Sequence, residues 1–112
     1  MRIIVILGID PGIAIVGYGL VECIGNRFRV IDYGAIRTEA NQLFPDRLKI
    51  VYDNLLNIID KYQPDELAIE ELFFNKNVKT AIKVGQARGV EILAAVNRGL
   101  DIYEYTPLQI KQ

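Results

Sequence analysis

Residues 2–12 read Arg2-Ile3-Ile4-Val5-Ile6-Leu7-Gly8-Ile9-Asp10-Pro11-Gly12. Through Ile9 the run is almost purely apolar and rich in β-branched residues, with no polar alternation. That pattern predicts a strand buried on both faces, central in its sheet. Asp10-Pro11-Gly12 predicts a turn in which Pro fixes φ and Gly takes positive φ. The run is too short for a signal-peptide core and meets no small-residue cleavage site. No apolar stretch approaches the ~20 residues that span a bilayer. The expected compartment is the cytoplasm, with no membrane partner.

Outward from this strand, residues 14–23 read as a second strand, with Gly17 and Gly19 on one face where a neighbour can approach closely. Gly25-Asn26 marks a hairpin, and Phe28–Tyr33 begins a third strand that reaches about Ile36. Pro45 suits a first helical turn. Beyond it Leu48, Val51, Tyr52, Leu55, Leu56, Ile59 and Tyr62 trace one helical face, which Gln63-Pro64-Asp65 ends. Leu67–Phe73 reads as a fourth strand. Residues 78–98 read as a second helix with Ile82, Gly85, Gly89, Ile92, Ala95 and Val96 along one side. Each of those glycines costs roughly 1 kcal/mol against Ala, which makes sense where another backbone packs tightly. Gly99 is a candidate C-cap, Asp101–Tyr105 a fifth strand, and Thr106-Pro107 the start of another helix. The expected order is β-β-β-α-β-α-β: an α/β fold with a five-stranded mixed sheet in one domain, residues 1–112. Gln112 falls where a last helix has just begun, so a truncated chain lacking that helix is expected.

Composition narrows the chemistry. The chain of 112 residues is 51% hydrophobic, with 13 Lys+Arg, 14 Asp+Glu, one Cys and no His, for a net charge of −1. Without His or Ser there is no Ser-His or Cys-His pair and no imidazole ligand, and the lone Cys23 makes neither an intrachain disulfide nor a zinc site. Carboxylates remain as catalytic groups, and any basic footprint for nucleic acid must be local.

Asp10 stands at the end of the apolar strand. It can open an Asx-type turn, or it can be a carboxylate held for chemistry. Glu70 lies inside Leu67-Ala68-Ile69-Glu70, facing opposite to Ile69 and to Glu71. If the first and fourth strands are neighbours, Asp10 and Glu70 meet at strand ends. Two carboxylates about 4 Å apart repel by about 4 kcal/mol at an effective dielectric near 20, and a divalent cation between them removes that cost. Oxygen-only ligands select Mg²⁺ or Mn²⁺ over Zn²⁺, which suits phosphodiester hydrolysis. Lys76, Lys79, Lys83 and Arg88 lie in and before the second helix, as a solvated face or as phosphate contacts.

Taken together, Gly8-Ile9-Asp10-Pro11-Gly12, Gly17-Tyr18-Gly19, Ala68-Ile69-Glu70, Phe73, Lys76-Asn77, Gly85-Gln86-Ala87-Arg88-Gly89-Val90, Ala94-Ala95-Val96-Asn97 and Gln109-Ile110-Lys111-Gln112 resemble the bacterial RuvC family of Holliday-junction resolvases, in order along essentially the whole chain. The resemblance implies a ribonuclease-H-like fold and a homodimeric, Mg²⁺-dependent endonuclease (Mn²⁺ as substitute, two ions in the longer protein). Such an enzyme nicks two opposed strands of a four-way DNA junction and works with a branch-migration motor complex. It further implies Asp10 and Glu70 as catalytic and metal-binding, Phe73 as a ring stacking on junction bases, and Lys111 as a basic group near the cleaved strand. The family's further acidic residues on a C-terminal helix have no match here, which implies weak Mg²⁺ binding and little cleavage by this chain.

Other readings stay open. An ATP-binding domain of the actin and sugar-kinase kind also begins with a strand, an acid and a Gly turn, but it needs a second lobe and leaves GQARGV unexplained. A non-catalytic junction-binding module and a nuclease of the same fold acting on RNA are the remaining alternatives.

Overall fold

The computed structural model describes residues 2–71 and 77–105. Along the chain run β1 (Ile3–Asp10), β2 (Ile15–Ile24), β3 (Arg27–Arg37), α1 (Phe44–Tyr62), β4 (Glu66–Glu70), α2 (Val78–Asn97) and β5 (Asp101–Tyr105). The strands form one sheet in the order β3-β2-β1-β4-β5. β1–β2 and β2–β3 pair antiparallel, whereas β1–β4 and β4–β5 pair parallel. The expected element order, the meander and the central place of the first strand are all present.

Local chemistry explains the joints. Gly25 takes positive φ in the β2–β3 turn. Pro45 stands in the first turn of α1, where a missing N–H costs nothing. Gln63 closes α1 in the left-handed region, its N–H donating to the Ile59 carbonyl at 2.8 Å, and Pro64 forbids continuation. Asn77 caps α2 by accepting from the Thr80 N–H at 3.1 Å. Gly99, with φ of 77°, ends it.

Both helices pack on one face of the sheet. Leu7 and Ile9 of β1, Val16 and Leu20 of β2, Ile36 of β3, and Leu67 and Ile69 of β4 meet Val51, Leu55 and Ile59 of α1 and Ala94 and Ala95 of α2 in one core. Side chains alternate along a strand, so the intervening residues point away from both helices. Among the described residues nothing covers that second face: Ile4, Ile6, Gly8 and Ala68 are part-exposed, and Phe28, Val30, Tyr33 and Tyr103 are exposed. β1 is therefore central but buried on one face only, a departure from the expected double burial.

Two further expectations are corrected. Gly12 does not take positive φ. It is needed for space, because a Cβ there would stand 2.2 Å from the Ile15 carbonyl oxygen. β4 ends at Glu70 rather than Phe73, and residues 72–76 lie outside those described. The inner face of α2 consists of Ala81, Ala87, Glu91, Ala94 and Ala95, and of the apolar side expected for this helix Ile82, Gly89 and Val96 are exposed. Small side chains let that helix lie close to the sheet and α1, and its bulkier apolar residues are left outside.

Candidate active site

Ile9 lies opposite Ile69 in the parallel β1–β4 pair, so Asp10 and Glu70 are the next residues in register. Adjacent strands are about 4.8 Å apart, and equivalent positions face the same way. Both carboxylates accordingly project from the open face, at the carboxyl ends of neighbouring strands. This adjacency is what the chemistry argued from the sequence requires. On the other side of β1, Asp10 is paired with Gly17, where an added Cβ would lie 3.6 Å from the Asp10 Cβ. Gly8 and Gly19 form the preceding pair. The sheet beside Asp10 thus has no side-chain wall on its β2 flank.

The loop after Asp10 is tied down. The Thr38 N–H donates to the Ala14 carbonyl at 3.0 Å, its hydroxyl donates to the Ile13 carbonyl, and the buried Arg47 Nε donates to that hydroxyl oxygen at 3.0 Å. On the β5 side Glu70 is paired with Tyr105. Burial pushes the Tyr105 phenol above its usual value, and the negative charges of Glu70 and Asp10 push it further.

Arg88 and Glu91 occupy the helix side of the same sheet end. The Arg88 Nε donates to the Glu70 carbonyl at 3.0 Å, and its Nη2 lies 3.2 Å from Glu104 Oε1. Its guanidinium is turned toward the sheet, apart from the lysines with which the sequence groups it. Glu91 was not anticipated as part of this region. Its signal was its phase: it falls in step with Ala87, Ala94 and Ala95, four and three residues away on the inner face.

Lys79 and Lys83 are exposed at the start of α2, and the Lys83 Nζ stands 5.7 Å from the centre of the Phe44 ring. Phe73, Lys76 and Lys111 lie outside the described residues. Among the described residues no cluster of three or more acidic, His or Cys side chains gathers at one point. Asp10 and Glu70 offer two carboxylates on one open face, a donor set that suits a hard divalent cation in kind.

A family model described as crossover junction endodeoxyribonuclease RuvC matches residues 6–112. The chain belongs to the RuvC family. It is 64% identical over 108 residues to the crossover junction endodeoxyribonuclease RuvC of Halothermothrix orenii and 60% identical over 108 residues to that of Alkaliphilus oremlandii. It covers 66% of the length of either relative, just under two thirds, while 96% of this chain is matched. Among solved structures it superposes on Thermus thermophilus RuvC in complex with Holliday junction substrate with a TM-score of 0.89, at 31% identity, covering 97% of this chain and 68% of that one. The ribonuclease-H-like, five-stranded mixed sheet of the RuvC family is the fold found here. Among the described residues no helix is long and apolar enough to cross a membrane.

Proposed function

We propose that this chain forms the nuclease core of a structure-selective endonuclease that resolves four-way DNA junctions by nicking two opposed strands. The observation that carries the reading is the pairing of Asp10 with Glu70 on the open face of two parallel strand ends, in a chain of the RuvC family. The two carboxylates would hold Mg²⁺, with Mn²⁺ as substitute. When bound, such ions supply Lewis-acid activation of water and neutralise charge on the scissile phosphate. The smooth Gly8–Gly17–Gly19 surface beside Asp10 lets a polynucleotide backbone come close. Lys79 and Lys83 contact phosphates outside the site and set register without reading sequence. Phe73 as a base-stacking ring, with Lys76 and Lys111 as phosphate contacts, follows from the family resemblance, as does cooperation with a branch-migration motor. A chromosomal junction as substrate puts the activity in the cytoplasm of a bacterium.

A homodimer completes the reading. Val78, Ile82, Leu93 and Val96 are exposed along α2, with Gly89 among them, at spacings of four, seven, four and three residues that keep to one side of a helix. Gly89 has nothing within 4 Å of an added Cβ, so no contact within the described chain accounts for it.

A second reading is a junction-binding module that does not cut, favoured by the finding of two rather than three gathered acids among the described residues. Binding to a synthetic four-way junction, against linear duplex of the same sequence, in Ca²⁺ and then Mg²⁺, separates the readings. Selective binding with little nicking by this chain is expected. Nicking by a longer version of the protein, abolished by Asp10→Asn or Glu70→Gln, establishes the nuclease. Selective binding with no nicking by either establishes the binding module. Absence of junction preference in both forms overturns the proposal.

A further inference from the structure

Two ionisable side chains on α2 face the sheet one helical turn apart, Arg88 and Glu91. Glu91 is 1% exposed, and neither of its carboxyl oxygens has a hydrogen-bond partner among the described residues. A buried carboxyl without partners is disfavoured relative to an apolar side chain of similar size. Burial pushes this carboxyl up, with the positive charge of Arg88 pulling the other way. The Arg88 side chain is 14% exposed. Its Nε donates to the Glu70 carbonyl at 3.0 Å, and its Nη2, which has no hydrogen-bond partner, lies 3.2 Å from a Glu104 oxygen. A side chain of β5 and the backbone of β4 thus converge on one guanidinium from α2.

Glu70 is the last residue of β4, and strand ends loosen first unless their terminal groups are held. Here both sides of the end are held. The Glu71 N–H donates to the Tyr105 carbonyl at 2.7 Å, and the Glu70 carbonyl receives Arg88. The planar guanidinium can serve the carbonyl and the Glu104 carboxylate at once, which a lysine cannot. Glu104 opposes its leaving for solvent.

We propose that Arg88 is a positioning residue for Glu70: its guanidinium, held beside Glu104, fixes the end of β4 and with it the aim of the Glu70 carboxylate beside Asp10. This assigns Arg88 a role inside the fold instead of a contact to phosphate. It rests on the reading of Asp10 and Glu70 as a cation-binding pair.

The test is Mn²⁺ binding by the chain, measured by calorimetry alongside thermal melting, for the parent, Arg88→Met, Arg88→Lys, Glu91→Gln, Asp10→Asn and Glu70→Gln. Arg88→Met should weaken Mn²⁺ binding about tenfold, as loss of groups that orient metal ligands commonly does. The Glu71 amide should exchange faster with solvent while β1 amides stay protected. Arg88→Lys keeps the charge but loses the Nε donor, so it should recover little of the affinity. Glu91→Gln, which replaces a carboxyl that is already uncharged in the fold, is the control and should leave Mn²⁺ binding unchanged. Unchanged Mn²⁺ affinity in the folded Arg88 variants, with affinity lost in Glu70→Gln, overturns the positioning role and leaves the carboxylate pair standing. If Arg88→Met fails to fold, Arg88→Lys decides in the same way. Affinity unchanged in Asp10→Asn and Glu70→Gln overturns the cation-binding pair and the positioning role with it.

Discussion

Val5 and Asp65 hold each other by two reciprocal hydrogen bonds: the Val5 N–H donates to Asp65 Oδ2 at 2.8 Å, and the Asp65 N–H donates to the Val5 carbonyl at 2.8 Å. The pair closes the entry to the parallel β1–β4 ladder. Register set at this end places Asp10 beside Glu70 at the other, four to five residues along.

Replacing Asp65 with Ala removes the side-chain half of that clasp and leaves the Val5 N–H without its partner. The expected loss is about 1–2 kcal/mol of folding stability. Asp65→Asn retains an acceptor oxygen and should lose less than half as much. Urea unfolding of the two variants against the parent checks both values.

Acidity at Glu91 gives stability a definite pH slope. Burial pushes its carboxyl up to about 8, with Arg88 pulling down and Asp10 pushing up. The folded chain therefore keeps a proton that the unfolded chain releases above its usual value of 4.5. The stabilisation is complete below that value and is lost as pH rises through about 8, on the order of 5 kcal/mol in all. Asp32, held low by its bond from Tyr62, and Asp60, held low by Arg98, act with the opposite sign and only at the acid end. Urea midpoints at pH 5, 7 and 8.5 should fall in that order, and Glu91→Gln should flatten the series.

Gly89→Ala separates folding from self-association. A Cβ there meets nothing within the chain, and Ala is favoured over Gly in a helix by up to about 1 kcal/mol. The isolated chain should melt at a higher temperature. The dimer, if α2 approaches its copy at Gly89, should dissociate at higher protein concentration. Sedimentation equilibrium with thermal melting reads the two effects separately, and Leu93→Glu should give the monomer alone.

Lys79 and Lys83 are tested by salt. Each lysine that neutralises a phosphate contributes about one unit to the slope of log affinity against log salt. Lys79→Ala and Lys83→Ala should each lower the slope for junction DNA by about that amount and weaken binding to all sequences alike.

Much of the architecture was legible because it is written in local patterns. The apolar run of β1, the Gly25 turn, Pro45 and Gly99 each announce their element without reference to the rest of the chain. The adjacency of Asp10 and Glu70 was only conditional in the sequence, since parallel pairing of β1 with β4 joins residues about sixty positions apart. α2 is apolar on two sides: Ile82 and Val96, legible as part of one side of the helix, are exposed, and Ala81, Ala87, Ala94 and Ala95 are what allow close packing. Glu91 was hidden for a related reason: a glutamate in a helix is ordinarily solvated, and only its phase with those alanines places it inside. Gly12 was rightly singled out as glycine, but for backbone conformation when the actual demand is room beside the Ile15 carbonyl.

Along β1 the odd positions Val5, Leu7 and Ile9 belong to the packed core, and the even positions Ile4, Ile6, Gly8 and Asp10 to the open side. Tolerance to substitution should therefore oscillate with a period of two along a single strand. Odd-numbered changes register in the melting curve, even-numbered ones in what the surface can hold. The same eight residues carry two independent scripts, and the chemistry on one side can be rewritten without disturbing what keeps the chain folded on the other.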